Sequence, residues 1–135
     1  NSILAQTIRG VISTRLVRII CDSCKEPYGA TELEKLDSYF RDLLRRRTTP
    51  TNLQKGRGCE KCNNTGFLGR TGIFEVVYFD EEVKVSIIEH KPPSYISEII
   101  RRKKTKSLID AAMEKVFQGI TTIEETTRVL GVQIL

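Results

Sequence analysis

The four cysteines of the chain, Cys21, Cys24, Cys59 and Cys62, form two Cys-x-x-Cys pairs, "CDSC" and "CEKC", separated by 34 residues. Two residues between the cysteines of a pair let the backbone reverse so that both sulfurs face one centre. Two such knuckles complete a tetrahedral shell of four thiolates. The doubled spacing predicts a structural zinc site, because four thiolates leave no open position for water or substrate. Disulfides compete for the same residues, but they belong to oxidising compartments, and the sequence carries no export signal. A redox Cys-x-x-Cys stands alone on a βαβ scaffold, whereas these two pairs match each other. Iron–sulfur ligation also uses four cysteines and stays open on the spacing alone.

Little else in the sequence suggests chemistry. The single histidine, His90, lies beside Lys91 and Pro92, which reads as a solvent-facing loop, and no Ser-His-Asp or Cys-His arrangement stands out. No Gly-x-x-x-x-Gly-Lys-Ser/Thr phosphate loop occurs. Glu75, Asp80, Glu81 and Glu82 read as strand-end and helix-cap charges rather than an acid–base pair. The residues therefore point to no catalytic and no cofactor-binding side chain, and to metal ligation by the four cysteines alone.

At 135 residues, 39% hydrophobic and 29% charged, the sequence has the size and composition of one folded domain. No stretch approaches the length of apolar chain that spans a bilayer, and Asn1 opens without an initiator Met or signal sequence, as expected of a segment of a longer cytosolic protein. The net charge of +5 is concentrated in two runs, Arg45-Arg46-Arg47 and Arg101 to Lys106. Each run falls at the end of a predicted helix, where cations meet the negative end of the helix dipole. A nucleic-acid or acidic-lipid surface is the lesser reading, since interleaved aromatics are missing.

Several elements must position the knuckles. Leu4, Ile8, Val11, Ile12 and Leu16 lie on one stripe of a helix over residues 2–16, followed by a short buried strand, Leu16 to Ile20, that runs into Cys21. Thr31 with Glu34 makes a capping box for a helix over about residues 31–46, carrying Leu33, Leu36, Phe40, Leu43 and Leu44. The metal would thus pin a helical insertion at both ends. Residues 48–55, with Pro50, read as a loop or short extended segment. Gly66, Gly69 and Gly72 suit a turning backbone that leads into a strand from Ile73 to Phe79. Asp80 caps a helix over residues 81–89, and Pro92-Pro93 restarts the chain as another. Ser107 with Asp110 and Thr122 with Glu125 open two more, the first stopped by Gly119. The expected fold class is mixed α/β, mainly helical.

Read in order, "RLVRIICDSCKEPY", "GCEKCNNTGFLGRTGIFEV" and "GITTIEETTRVL" resemble the carboxy-terminal part of the bacterial type II secretion and type IV pilus assembly motor ATPases. The match covers nearly the whole chain, and its middle block is the most specific. The resemblance implies residues 1–20 as the terminal helix and strand of a RecA-like core. Residues 21–62 become a tetracysteine zinc subdomain with a helical insertion, and residues 63–135 a strand and a small helical bundle. It implies a parent that is a cytoplasmic ATPase, peripheral to the inner membrane, forming a homo-oligomeric ring, usually a hexamer, docked on membrane platform proteins. ATP and Mg²⁺ would bind upstream of these residues, and the segment alone would not be an enzyme. The four cysteines favour the assembly and secretion motors over the retraction motors. Thr14 stands where many relatives have Gln, and "RRRTTPTNLQKGRG" is more basic than the usual approach to the second knuckle. The alternative is a stand-alone zinc module that binds nucleic acid or acts in a chaperone. Asn64 replaces the first glycine of the chaperone-type repeat, and the favoured reading expects no nucleic-acid partner.

Overall fold

β-Branched residues crowd "GVISTRLVRII", and the chain runs through it as one strand, β1 (Gly10–Ile20), after a single short helix, α1 (Ser2–Thr7). The expected helix over residues 2–16 is therefore cut short. Gly10 lowers helix propensity at its middle, and Val11, Ile12 and Thr14 fit a pleated surface better than a helix interior. The computed structural model describes residues 2–35, 38–46, 48 and 51–131. Leu36, Arg47 and Pro50, and the side chain of Leu43, which figured in the expectations above, lie outside what is described.

Beyond β1 come a short strand β2 (Lys25–Pro27), helices α2 (Ala30–Glu34) and α3 (Ser38–Arg45), strand β3 (Gln54–Gly56), a single 3-10 turn at Glu60–Cys62 and strand β4 (Phe67–Tyr78). Helices α4 (Glu81–Ile88), α5 (Pro93–Arg102), α6 (Leu108–Phe117) and α7 (Ile123–Leu130) follow. The fold is mixed α/β, with two small two-stranded sheets among the described residues, β1 with β4 and β2 with β3. No helix among the described residues is long and apolar enough to cross a membrane.

The chain divides into two compact units, one made of residues 1–14 and 74–108, the other of residues 15–73 and 109–135. In the first, α1 packs on α4 and α4 on α5, with Ala5, Val83 and Ile99 buried. Asp80 caps α4 as expected, accepting the Val83 N–H at 3.2 Å. Arg102 pairs with Glu82, and Lys103 with Asp80 and Glu82. Part of the second basic run thus neutralises acids at the start of α4. Glu75 accepts the N–H of Leu108 at 2.9 Å, satisfying an orphan donor at the start of α6.

The second unit holds the larger apolar core. Phe40, Met113, Val116, Phe117 and Ile123 are buried together, with Leu44, Leu53 and Ile109 packed against them. The rings of Phe40 and Phe117 stack at 5.9 Å between centroids. The single helix expected over about residues 31–46 is instead two, α2 ending at Glu34 with Lys35 as its C-cap and α3 starting at Ser38. The cap also shifts: Glu32, not Glu34, folds back to accept the Gly29 N–H at 2.9 Å, and Lys55 holds the same carboxylate at 2.6 Å. One helix is anchored to β3 and the other must deliver Phe40 to Phe117, so tertiary demands override a locally helical sequence.

Candidate metal centre

The sequence approaches the first knuckle through a buried strand end and the second through a short ladder. Val17 and Ile20 are buried, and the Ile20 N–H donates to the carbonyl of Ile120 at 2.9 Å, fixing the end of β1 just before Cys21. β2 follows Cys24, and β3 precedes Cys59. The two pair antiparallel, with Lys25 opposite Gly56, Glu26 opposite Lys55 and Pro27 opposite Gln54. Neither strand was expected as such. "KEP" and "QKG" have poor strand propensity, and their partner lies almost thirty residues away, so local pattern carries no trace of the pairing.

After Cys62 the motif "NNTG" is a run of special backbone. Asn63 and Asn64 both adopt the left-handed conformation, as does Gly66 at φ 77°. The Thr65 hydroxyl donates to the Cys62 carbonyl at 2.6 Å. Gly66 crosses Gly56 so closely that a Cβ on Gly66 would sit 2.5 Å from the Gly56 carbonyl oxygen. Only glycine satisfies both the backbone angle and the space.

These elements bring all four cysteines together. Their sulfurs lie within 4.8 Å of one another, with Cys21 to Cys59 and Cys24 to Cys62 at 3.8 Å and Cys59 to Cys62 at 3.7 Å. Sulfurs placed about 2.3 Å from a common ion at tetrahedral angles are separated by about 3.8 Å, so the donor set fits a single thiophilic ion. A disulfide needs about 2.05 Å, and all four residues are free thiols. A polynuclear iron–sulfur cluster would spread its cysteines over several irons and separate them more widely, so sulfurs this close together disfavour it.

Cys21, Cys24 and Cys62 are buried, while Cys59 is partly exposed. Backbone N–H groups point at the sulfurs: Gly58 at Cys24 Sγ (3.3 Å), and Cys59 and Gly66 at Cys62 Sγ (3.2 and 3.3 Å). Burial pushes the Cys24 thiol up to about 12 despite the Gly58 donor. Burial also opposes ionisation of Cys62, but the two N–H donors outweigh it and bring this thiol down to about 6. A bound cation would hold all four as thiolates.

One buried ion network escaped the sequence reading. Glu125 was expected to complete a capping box with Thr122, and half of that box forms, the Thr122 hydroxyl accepting the Glu125 N–H at 3.1 Å. The carboxylate goes elsewhere, to Arg18 and Arg128. The available signal was an acid and a base at opposite ends of the chain, with nothing local to join them. His90, by contrast, is exposed, as expected of a loop histidine.

The family model described as "Type II/IV secretion system protein" matches residues 1–128. The type II secretion system protein E of Pseudomonas aeruginosa is 39% identical over 133 residues, which cover 94% of this chain and 24% of that protein. The type IV pilus assembly ATPase PilB of Thermus thermophilus is 38% identical over 125 residues, 90% of this chain and 13% of that protein. The type II secretion system ATPase E of Vibrio cholerae is 36% identical, over 94% of this chain and 24% of that protein. The chain thus spans about a quarter or less of the length of these relatives. With the match extending over residues 1–128, the chain belongs to the type II/IV secretion system protein family.

Proposed function

We propose that these residues form part of a cytoplasmic motor ATPase that drives type II protein secretion or type IV pilus assembly, and that Cys21, Cys24, Cys59 and Cys62 hold a structural zinc ion in it. The reading rests on the convergence of the four sulfurs within 4.8 Å of one another in a chain matched over residues 1–128 by the family model. In this reading residues 1–20 end a RecA-like core, residues 21–62 are the zinc subdomain and residues 63–135 a carboxy-terminal strand and helical part. ATP and Mg²⁺ bind in the portion of the protein that these residues do not span. The parent assembles as a homo-oligomeric ring, six subunits being the expected number, on inner-membrane platform proteins, and this segment supplies subunit and partner contacts.

When bound, zinc cross-links the ends of an excursion whose buried Phe40 packs into the core formed with α6 and Ile123, and does no chemistry on nucleotide. The test is Cys59→Ser in the full-length protein. Zinc content should fall below one per chain and the melting temperature should drop, with secretion or piliation lost while nucleotide binding persists. A wild-type protein that purifies without zinc and melts unchanged in a chelator would overturn the metal reading. Loss of nucleotide binding with metal content intact would overturn the separation of the two sites.

A further inference from the structure

Glu125 has no solvent-exposed side-chain surface and is not a metal ligand, yet it accepts five hydrogen bonds. Arg18 gives its backbone N–H to Oε1 at 3.0 Å and its Nε and Nη2 to Oε2 at 3.0 and 2.7 Å. Arg128 gives Nε and Nη2 to the two oxygens at 2.9 and 2.8 Å. An isolated carboxylate in this position would be costly, so its charge depends on the guanidinium groups that hold it, Arg18 with three of the five hydrogen bonds.

Arg18 is the connection to the metal centre. It lies three residues before Cys21. Its backbone N–H is bound to Glu125, and its carbonyl accepts the Thr121 hydroxyl at 2.8 Å. Its guanidinium also sits 4.2 Å from the centre of the Phe67 ring, and Phe67 opens β4 five residues after Cys62. One cation therefore touches the lead-in to the first knuckle, the lead-out from the second, and α7. The Cys21–Cys59 and Cys24–Cys62 contacts both run between knuckles, so the relative placement of those two strand ends decides whether four sulfurs can meet one ion.

We infer that Glu125, acting through Arg18 braced on Phe67, is a positioning residue that sets the affinity of the thiolate site from the far end of the chain. This inference rests on the zinc reading given above. Groups behind metal ligands typically change affinity by about 10- to 100-fold, and because Glu125 acts through one intermediate residue the lower end applies. Arg128 supplies the contrast. It shares the carboxylate but is an i,i+3 neighbour on α7 itself, so losing it weakens the fold without releasing β1.

The experiment titrates zinc against a chromogenic chelator in the whole chain for wild type, Glu125→Gln, Glu125→Asp and Arg128→Met, with folded stability measured in parallel. Cobalt substitution adds the thiolate-to-metal absorption as a readout of site geometry. Glu125→Gln should weaken zinc binding about tenfold and alter the cobalt spectrum. Arg128→Met should stay within about twofold with the wild-type spectrum, whatever its stability, and Glu125→Asp should recover part of the affinity. Wild-type affinity in Glu125→Gln would overturn the inference, as would losses in Glu125→Gln and Arg128→Met that simply follow their losses of stability. Should Glu125→Gln not fold, Glu125→Asp decides, an unaltered affinity and spectrum counting against the inference. Wild-type chain that takes up no zinc would instead remove the zinc reading itself, and this inference with it.

Discussion

Replacing Glu125 by Gln removes one negative charge and almost no volume from a fully buried position. Burial alone would raise the carboxyl above its ordinary 4.5, but the N–H groups of Arg128 and Arg18, side chain and backbone, overcome this and hold it down to about 2. A difference of about 2.5, at about 1.4 kcal/mol for each pKa unit, corresponds to about 3 kcal/mol of stability carried by the ionised form. The two arginine side chains are 40% and 60% exposed and keep part of their hydration, so about 2 to 3 kcal/mol is expected at neutral pH. The folded carboxyl titrates below its unfolded value. Its contribution is therefore complete above about pH 5 and disappears as the pH falls through 4.5 toward about 2. Urea unfolding of wild type and Glu125→Gln at several pH values between 7 and 3 measures it. Thiolates release zinc in acid, so the gap is compared only between samples of equal metal content. A gap as wide at pH 3 as at pH 7, or no gap at pH 7, would refute the assignment of the stabilisation to an ionised Glu125.

Two further substitutions probe the scaffold. Gly66→Ala combines a left-handed φ with a Cβ pressed 2.5 Å from a backbone oxygen that has no side-chain freedom to retreat. It should cost more than about 2 kcal/mol and lower zinc retention by displacing the backbone N–H that donates to Cys62, both read from melting curves and metal content. A cost below about 0.5 kcal/mol would mean the two backbones do not cross as described. Phe117→Ala empties the core position stacked on Phe40 and should destabilise by about 3 to 5 kcal/mol in chemical denaturation, with metal content unchanged at saturating zinc. A loss under about 1 kcal/mol would contradict its place in the core.

The parts of this molecule that were legible in the sequence are those written in a few adjacent residues. The two knuckles announce themselves by cysteine spacing. Asp80 and Thr122 cap their helices through hydrogen bonds three residues long, and Pro93 opens α5 in the position proline favours. The misreadings arose where distant chain decided the outcome. "VIST" after Gly10 could be helix or strand until β4 offered it a ladder, and residues 30–45 could be one helix until Lys55 claimed Glu32 at one end and Phe117 claimed Phe40 at the other. The ladder between β2 and β3 and the pairing of Glu125 with Arg18 join residues with no shared local pattern, and sequence periodicity is silent on them.

A thiolate-bound ion and a disulfide would both close the excursion between the knuckles, but they would do so by different physics. A disulfide persists in the unfolded chain and stabilises chiefly by restricting it, by about 4 kcal/mol for a loop of this length. Zinc on the proposed reading binds the folded arrangement in preference to the unfolded one, so its contribution follows mass action and grows by about 1.4 kcal/mol for each tenfold rise in free metal above the dissociation constant. Such a link also depends on everything that brings four sulfurs within 4.8 Å of one another, which a covalent bond, once formed, does not. That dependence gives the crossing of Gly56 with Gly66, the N–H groups on Cys24 and Cys62, and the Arg18 contact to Phe67 a common physical role. Each holds sulfurs in place, the Gly58 N–H on Cys24 and the Arg18–Phe67 contact between the knuckles and the others within the second one, and on the proposed reading the loss of any one loosens the metal without removing a ligand.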